Sequence, residues 1–212
     1  MNMRFMLGCL ASAAVFCGFA QETTEEVAVK TDDAKAEEKA VETKPETKEN
    51  TMTVVIIETS KGTITAELDA EKAPISVANF LAYVDEGHYA DTIFHRVIKG
   101  FMIQGGGFTA NMSQKKTKAP IKLESQNGLK NVRGSLAMAR TNVPDSGTCQ
   151  FYINHVNNAS LDYPSFDGHG YAVFGRVIDG MDVVDAIANV PTTKPGDVPT
   201  EQITIKKISR KE

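Results

Sequence analysis

The 212-residue sequence is poor in cysteine. It contains three cysteines, and two of them, Cys9 and Cys17, lie in the first twenty residues. If that segment is removed, Cys149 is left alone, and a lone cysteine cannot form an internal disulfide. The rest of the chain must then be stabilised by its core alone, and outside the cytoplasm the thiol escapes oxidation only if it is buried.

Several functional signals are also missing. No basic patch with interleaved aromatic residues is present, so we predict no nucleic-acid binding. The four histidines are scattered without the spacing of metal ligands, so we predict no metal site. Asp145, Ser146 and His155 are near one another in sequence, but no nucleophile elbow accompanies them, which disfavours a hydrolase.

The run of three glycines from Gly105 to Gly107 does not match a phosphate-binding loop. A lysine followed by serine or threonine would have to close such a loop, and no such pair directly follows this run. We expect these glycines to let the backbone turn tightly beside a pocket.

The first twenty residues have the pattern of a secretory signal. Arg4 is followed by an apolar stretch over residues 5–19, which is too short to span a bilayer. We predict cleavage near Ala20 and an exported, periplasmic protein; the alternative is a buried helix or a retained anchor. The residues before Cys9 and Cys17 do not fit a lipoprotein signal, so we expect no lipid anchor.

Residues 21–50 differ in composition from the rest of the chain. They contain ten acidic and five basic residues and almost no large apolar side chains. Such a segment cannot bury enough apolar surface to offset its ordering entropy, so we predict a disordered acidic tether. A short helix with Glu/Lys pairs is the alternative. The folded domain is then expected over residues 51–212.

The pattern of that domain predicts many short strands and two helices. "TVVIIET" and "TITAEL", joined across Ser60-Lys61-Gly62, indicate a hairpin. Apolar residues at helical spacing indicate two helices, one through Val77, Phe80, Leu81 and Val84, the other through Met181, Val184, Ile187 and Ala188. The other strand-like segments are "TIFHRVI", "FMIQGG", "GSLAMAR", "QFYINH", "YAVFGRV" and "ITIKKI". This arrangement favours an all-β closed antiparallel barrel capped by two helices over parallel βαβ units.

Arg96 stands inside one of these strand-like segments. If Thr92–Ile98 is a strand, Phe94 and Arg96 share a face. An uncompensated buried charge is costly. Arg96 therefore reaches solvent, has a carboxylate partner, or works in a pocket.

Four motifs occur in close succession: "FHRVIKGFMIQGGGF", "NGLKNVRGSLAMAR", "SGTCQFYIN" and "YAVFGRVIDGMDVVDAI". Together they resemble the cyclophilin family of peptidyl-prolyl cis-trans isomerases, in particular its bacterial exported type, over about residues 52–209. The resemblance implies an eight-stranded antiparallel barrel with a helix over each end and a substrate groove on its outer face. It also implies that proline-containing segments of unfolded or folding proteins are the substrates. Rotation about an X-Pro bond breaks no covalent bond, so we expect no cofactor. We expect a monomer because a closed barrel has no free edge.

The resemblance assigns roles to individual residues. The family's catalytic arginine falls on Arg96. Its apolar proline pocket falls on Phe101, Met102, Tyr152 and Leu161. Its two polar substrate contacts fall on Gln104 and Gln150. The backbone groups that pair with an extended peptide fall on Ala139 and Arg140.

The sequence departs from the family pattern at several positions. Ser160 stands where many eukaryotic members have the tryptophan that helps to bind cyclosporin, so we predict weak cyclosporin binding. Tyr152 replaces a usual phenylalanine, and its hydroxyl is expected either to narrow the pocket or to form a hydrogen bond at the rim. Tyr171 aligns with a histidine of many members. Cys149 stands where a serine or another small residue is usual, and it is either a tolerated buried side chain or a redox switch.

A binding module that holds proline segments without turnover is the second hypothesis. Retention of Arg96 beside an intact pocket favours the enzyme, because binding alone does not need the guanidinium.

Overall fold

The computed structural model describes residues 52–211, so the signal over residues 1–20 and the tether over residues 21–50 lie outside it. The eight strands are β1 (Thr53–Thr59), β2 (Gly62–Leu68), β3 (Thr92–Ile98), β4 (Met102–Thr109), β5 (Ser135–Met138), β6 (Phe151–Asn154), β7 (Val173–Asp179) and β8 (Thr204–Arg210). The two α-helices are α1 (Pro74–Asp85) and α2 (Met181–Ala188), and a 3-10 turn covers Ala159–Leu161.

The strands form a closed antiparallel barrel in the order β1-β2-β7-β5-β6-β4-β3-β8, with β8 paired to β1. This confirms the predicted all-β eight-stranded barrel with two helices. The predicted hairpin is also correct, because Thr59 pairs with Gly62 and only Ser60 and Lys61 lie between them.

Helix α1 forms where the apolar spacing predicted it. Val77, Phe80, Leu81 and Val84 are all buried, and Pro74 occupies the start of the helix, where a missing N–H is harmless. The first turn has no cap from its own N-cap residue. Instead the Glu124 carboxylate, from a distant loop, accepts hydrogen bonds from the backbone N–H of Ile75 (3.0 Å) and Ser76 (2.7 Å). A negative charge at this position also complements the helix dipole.

Helix α2 packs Val184, Ile187 and Ala188 against the barrel, with Met181 partly buried. Within residues 52–211, no helix is long and apolar enough to cross a membrane.

The barrel sheet separates two apolar clusters. The larger one is the core, centred on the aromatic rings of Phe80, Tyr89, Phe151 and Phe174. Cys149 belongs to this core and has no exposed surface, and burial raises the pKa of its thiol. The smaller cluster lies on the other face of the sheet and is built from Met102, Ala137, Tyr152, Leu161 and Val173; we call it the outer-face cluster.

Candidate active site

A row of paired residues crosses the outer face of the barrel. Arg96 on β3 pairs with Gln104 on β4, Gln104 pairs with Tyr152 on β6, and Tyr152 pairs with Ala137 on β5. Directly paired residues of antiparallel strands point to the same face, and neighbouring strands lie about 4.8 Å apart. The row therefore brings the guanidinium, an amide and a buried aromatic ring together over about 15 Å of sheet surface.

The predicted shared face of Phe94 and Arg96 is wrong. Phe94 is buried in the core with 1% exposure, whereas Arg96 is exposed. The β3–β4 register shifts between these two residues, so that Phe94 pairs with Gly105 and Arg96 with Gln104. This bulge at His95 adds one residue to β3 and reverses the alternation. Its effect is to keep Phe94 in the core while Arg96 points outward.

The Arg96 side chain has no hydrogen-bond or ion-pair partner within residues 52–211. The other four arginines of this range each pair with a carboxylate, on Asp185, Asp167, Glu67 and Asp85. Of the three alternatives for Arg96, a carboxylate partner is thus excluded within the described residues. An unpaired guanidinium beside an apolar surface is free to donate to a bound ligand.

The four residues predicted to form the apolar pocket all belong to, or pack on, the outer-face cluster. Met102, Tyr152 and Leu161 are almost fully buried in it, with 2%, 4% and 7% exposure. Phe101 is half-buried and packs against the cluster. The Leu161 side chain comes from the 3-10 turn, and the other three come from β6 and from β4 and its preceding turn.

Phe101 is held by contacts that the sequence analysis missed. Its carbonyl accepts hydrogen bonds from the His155 backbone N–H and the Asn158 side chain, both at 2.9 Å. The neighbouring Gly100 N–H donates to His155 Nδ1 at 3.1 Å. His155 is therefore a structural residue that fixes the turn before β4.

The two predicted amide residues contact each other. Gln104 Nε2 donates to Gln150 Oε1 at 2.9 Å, so the pair forms one polar unit between Arg96 and the β5–β6 connection. Gly107 makes room for it, because a Cβ there would lie 2.5 Å from Gln150 Cγ. The expected tight turn at Gly105–Gly107 is not formed, because the run lies inside strand β4. The register shift between β3 and β4 indicates a bulge there, and the glycines let neighbouring side chains approach the backbone closely.

The Tyr152 hydroxyl donates to Asn131 Oδ1 at 2.8 Å. This bond belongs to a buried network in which Asn154 Nδ2 also donates to Asn131 Oδ1, at 3.2 Å, and Asn158 Nδ2 donates to Asn154 Oδ1 at 2.6 Å. Burial raises the pKa of Tyr152 well above its ordinary value. The hydroxyl is therefore a neutral donor with an internal partner.

The Arg140 side chain is structural. It is 1% exposed, pairs with the Asp167 carboxylate, donates through Nε to the Gly170 carbonyl at 2.9 Å, and stacks on the Tyr171 ring with its guanidinium carbon 4.3 Å from the ring centre. Of the backbone groups predicted to pair with a peptide, the Ala139 N–H already donates to the Gln150 carbonyl at 3.0 Å. That part of the prediction is corrected. Within the described residues, the Ala139 carbonyl and the Arg140 N–H have no backbone partner.

The residues considered for a hydrolase do not come together. Ser146 Oγ contacts Thr141 and Val143, whereas His155 lies beside Asp185, with 3.2 Å between His155 Nε2 and an Asp185 carboxylate oxygen. In residues 52–211 no group of three or more His, Cys, Asp or Glu side chains is placed to hold a metal ion.

Comparisons with known proteins agree on one family. The family model described as cyclophilin type peptidyl-prolyl cis-trans isomerase/CLD matches residues 54–210. The chain is 53% identical to peptidyl-prolyl cis-trans isomerase B of Escherichia coli K12 over 161 residues, covering 74% of this chain and 98% of the relative. It is 56% identical to a peptidyl-prolyl cis-trans isomerase of Acinetobacter baylyi over 156 residues, covering 72% and 82%.

A solved structure gives the same result. The cyclophilin type isomerase of Cryptosporidium parvum, crystallised in the presence of the dipeptide Ala-Pro, superposes with a TM-score of 0.64 at 31% identity, covering 75% of this chain and 99% of that one.

Proposed function

The chain belongs to the cyclophilin family and is a peptidyl-prolyl cis-trans isomerase, and from this premise we propose that Arg96 is its catalytic residue and that the outer-face cluster receives the proline ring. The observation that carries the proposal is the unpaired Arg96 guanidinium, in register with Gln104 and Tyr152 on the outer face. The substrate is a proline-containing segment of an unfolded or folding protein.

Arg96 acts on the amide resonance of the X-Pro bond. That resonance imposes a rotation barrier of about 20 kcal/mol. In the twisted transition state the prolyl nitrogen becomes pyramidal and gains a lone pair, to which the guanidinium donates a hydrogen bond. This interaction is stronger in the transition state than in the planar ground state, which is the condition for catalysis. No covalent bond breaks, so the reaction needs no nucleophile.

The remaining residues hold the substrate. Phe101, Met102, Tyr152 and Leu161 fix the proline ring, while the preceding carbonyl swings. Gln104 and Gln150, joined by their hydrogen bond, offer the second Gln104 N–H and the Gln150 amide hydrogens to the substrate backbone. The Ala139 carbonyl and the Arg140 N–H pair with the peptide in an extended conformation.

The proposal extends to location and partners. We assign residues 1–20 to a cleaved signal, residues 21–50 to a tether, and the isomerase to the periplasm, where it assists the folding of exported proteins; the support is the sequence pattern of these segments. Monomeric behaviour is supported by the closed barrel. Weak cyclosporin binding is supported by the serine at position 160.

Exchange of a short Ala-Pro peptide, followed by NMR with the 21–212 protein, tests the catalytic assignment. Arg96→Ala is expected to reduce kcat/KM by about a hundredfold or more, the scale of removing one transition-state donor. Arg176→Ala is the matched control, because Arg176 also projects from a barrel strand, with 71% side-chain exposure, and pairs with Glu67. Circular dichroism should be unchanged in both variants.

Two results would contradict the assignment. Full activity of Arg96→Ala would show that the guanidinium is not catalytic. Peptide binding by the parent without turnover would support the binding module instead. The export proposal is tested separately, by expressing the full chain in a Gram-negative host: a periplasmic product with the mass of residues 21–212 is expected, and an unprocessed cytoplasmic product would refute it.

A further inference from the structure

The loop over residues 162–170 carries Phe166, the most exposed of the large apolar residues in the described part of the chain. Phe166 is 79% exposed, whereas Tyr163 in the same loop is 43% exposed. A single exposed apolar side chain is ordinary in itself. Phe166 is unusual because the backbone on both sides of it is fixed by contacts.

The two ends of the loop are in close backbone contact, and hydrogen bonds within the loop fix its conformation. Gly170 approaches Tyr163 so closely that a Cβ at Gly170 would lie 2.7 Å from the Tyr163 backbone nitrogen. The Asp167 carboxylate accepts hydrogen bonds from the backbone N–H of His169 (3.0 Å) and Gly170 (3.2 Å). Ser165 has a left-handed φ of 56°, which is uncommon for a residue other than glycine.

Both neighbours of Phe166 are bonded to residues at or next to the proposed substrate-binding positions. Ser165 Oγ donates to the Ser160 carbonyl at 2.7 Å, and Ser160 directly precedes the pocket residue Leu161. Asp167 pairs with the buried guanidinium of Arg140, whose backbone N–H is proposed to pair with the peptide. The Phe166 side chain is therefore presented beside the groove by a braced loop, with little backbone entropy left to lose when a ligand covers it.

We propose that Phe166 is a substrate-binding residue outside the proline pocket and contacts an apolar side chain within three residues of the proline in an extended substrate. The occupant is the substrate chain itself, because the loop is continuous with the groove through Ser160 and Arg140. This inference rests on the proposed groove and adds a preference for apolar residues flanking the X-Pro bond.

A positional peptide scan tests the inference. The substrates are one short alanine peptide with a central Ala-Pro and a series that carries a single phenylalanine at each of the three positions before and after it. The enzymes are the parent 21–212 protein, Phe166→Ser, Phe166→Leu and Ile178→Ser. Ile178 is the matched control, since it is 48% exposed and lies five residues along β7 from Val173 of the outer-face cluster.

For the parent, phenylalanine at one position is expected to raise kcat/KM about fivefold, as for burial of roughly 40 Å² of apolar surface. Phe166→Ser should lose this advantage, so that it turns over the phenylalanine peptide and the alanine peptide with equal kcat/KM. Phe166→Leu should keep part of it, and Ile178→Ser all of it.

An advantage that persists in Phe166→Ser, or the absence of any preferred position in the parent, would overturn the inference. A change in oligomeric state of Phe166→Ser in sedimentation, without a change in peptide preference, would assign the side chain to self-association instead. If the parent binds but does not turn over the short peptide, the proposed catalysis has failed; dissociation constants from calorimetric titration of the same peptides then show whether Phe166 selects apolar neighbours.

Discussion

The Tyr152 hydroxyl offers a direct test of how the pocket is built. In Tyr152→Phe the ring that faces the outer-face cluster is kept and only the hydrogen bond to Asn131 Oδ1 is lost. That oxygen still accepts from Asn154 Nδ2 at 3.2 Å, so no buried acceptor is orphaned. The free energy of unfolding is therefore expected to fall by about 1 kcal/mol, the net contribution of one hydrogen bond to stability. For a domain of this size it lowers Tm by about 2–4 °C.

Asn131→Ala is expected to cost more, about 3 kcal/mol. It leaves the Tyr152 hydroxyl and an Asn154 N–H without their acceptor in a buried site and removes the bond from Asn131 Nδ2 to Asp162 (3.1 Å). Combining the two substitutions in a double-mutant cycle isolates the coupling between the hydroxyl and the amide, expected at about 1 kcal/mol. Urea unfolding gives the free energies.

Activity tests whether this hydroxyl also contacts the substrate. Because the hydroxyl already has a buried partner in Asn131, Tyr152→Phe should leave kcat/KM for an Ala-Pro peptide within about twofold, and a twofold change corresponds to only about 0.4 kcal/mol. A loss of tenfold or more with unchanged stability would mean that the hydroxyl contacts the substrate, and would refute this account.

Two further predictions concern the residues around the site. Gly107→Ala should push Gln150 away from Gln104 and lower kcat/KM about tenfold, whereas Gly147→Ala, where a Cβ meets nothing nearer than 3.7 Å, should not; equal activities would show that the amide pair is dispensable. Burial lowers the pKa of His95 from 6.5 to about 4, so between these pH values the unfolded state binds more protons and the free energy of unfolding falls as pH falls. His95→Gln should weaken this pH dependence in urea titrations, and an unchanged slope would contradict the assignment.

Most of the fold could be predicted from periodicity. Helical spacing and strand alternation located most elements, because each of these buries one face that its apolar residues mark. Strands β5 and β6 are buried on both faces, and they stand out in the sequence as short apolar runs instead. The Phe94–Arg96 pair could not be placed this way. A bulge inserts one residue into the ladder, and no local pattern at His95 distinguishes a regular strand from a bulged one.

The parts of the fold and of the site that could not be predicted from the sequence are contacts between distant segments. The cap of α1 comes from Glu124, 48 residues beyond Ser76, whose N–H donates to it. The partner of the Tyr152 hydroxyl is Asn131, 21 residues earlier. Hydrogen bonds of this kind depend on how loops pack on the barrel, and short-range propensities carry no information about them.

The core and the outer-face cluster lie on opposite faces of one sheet. Both form only when the strands pair in the native register, so enzymatic activity reports on that register. Along β4, Met102 and Gln104 point outward while Ile103 points into the core, and β6 alternates in the same way through Phe151 and Tyr152. A slip of one residue would exchange the faces. A collapsed chain with the wrong pairing could keep much of its burial and still lack a groove, so during refolding turnover should recover only with the native alignment, later than any probe of compaction.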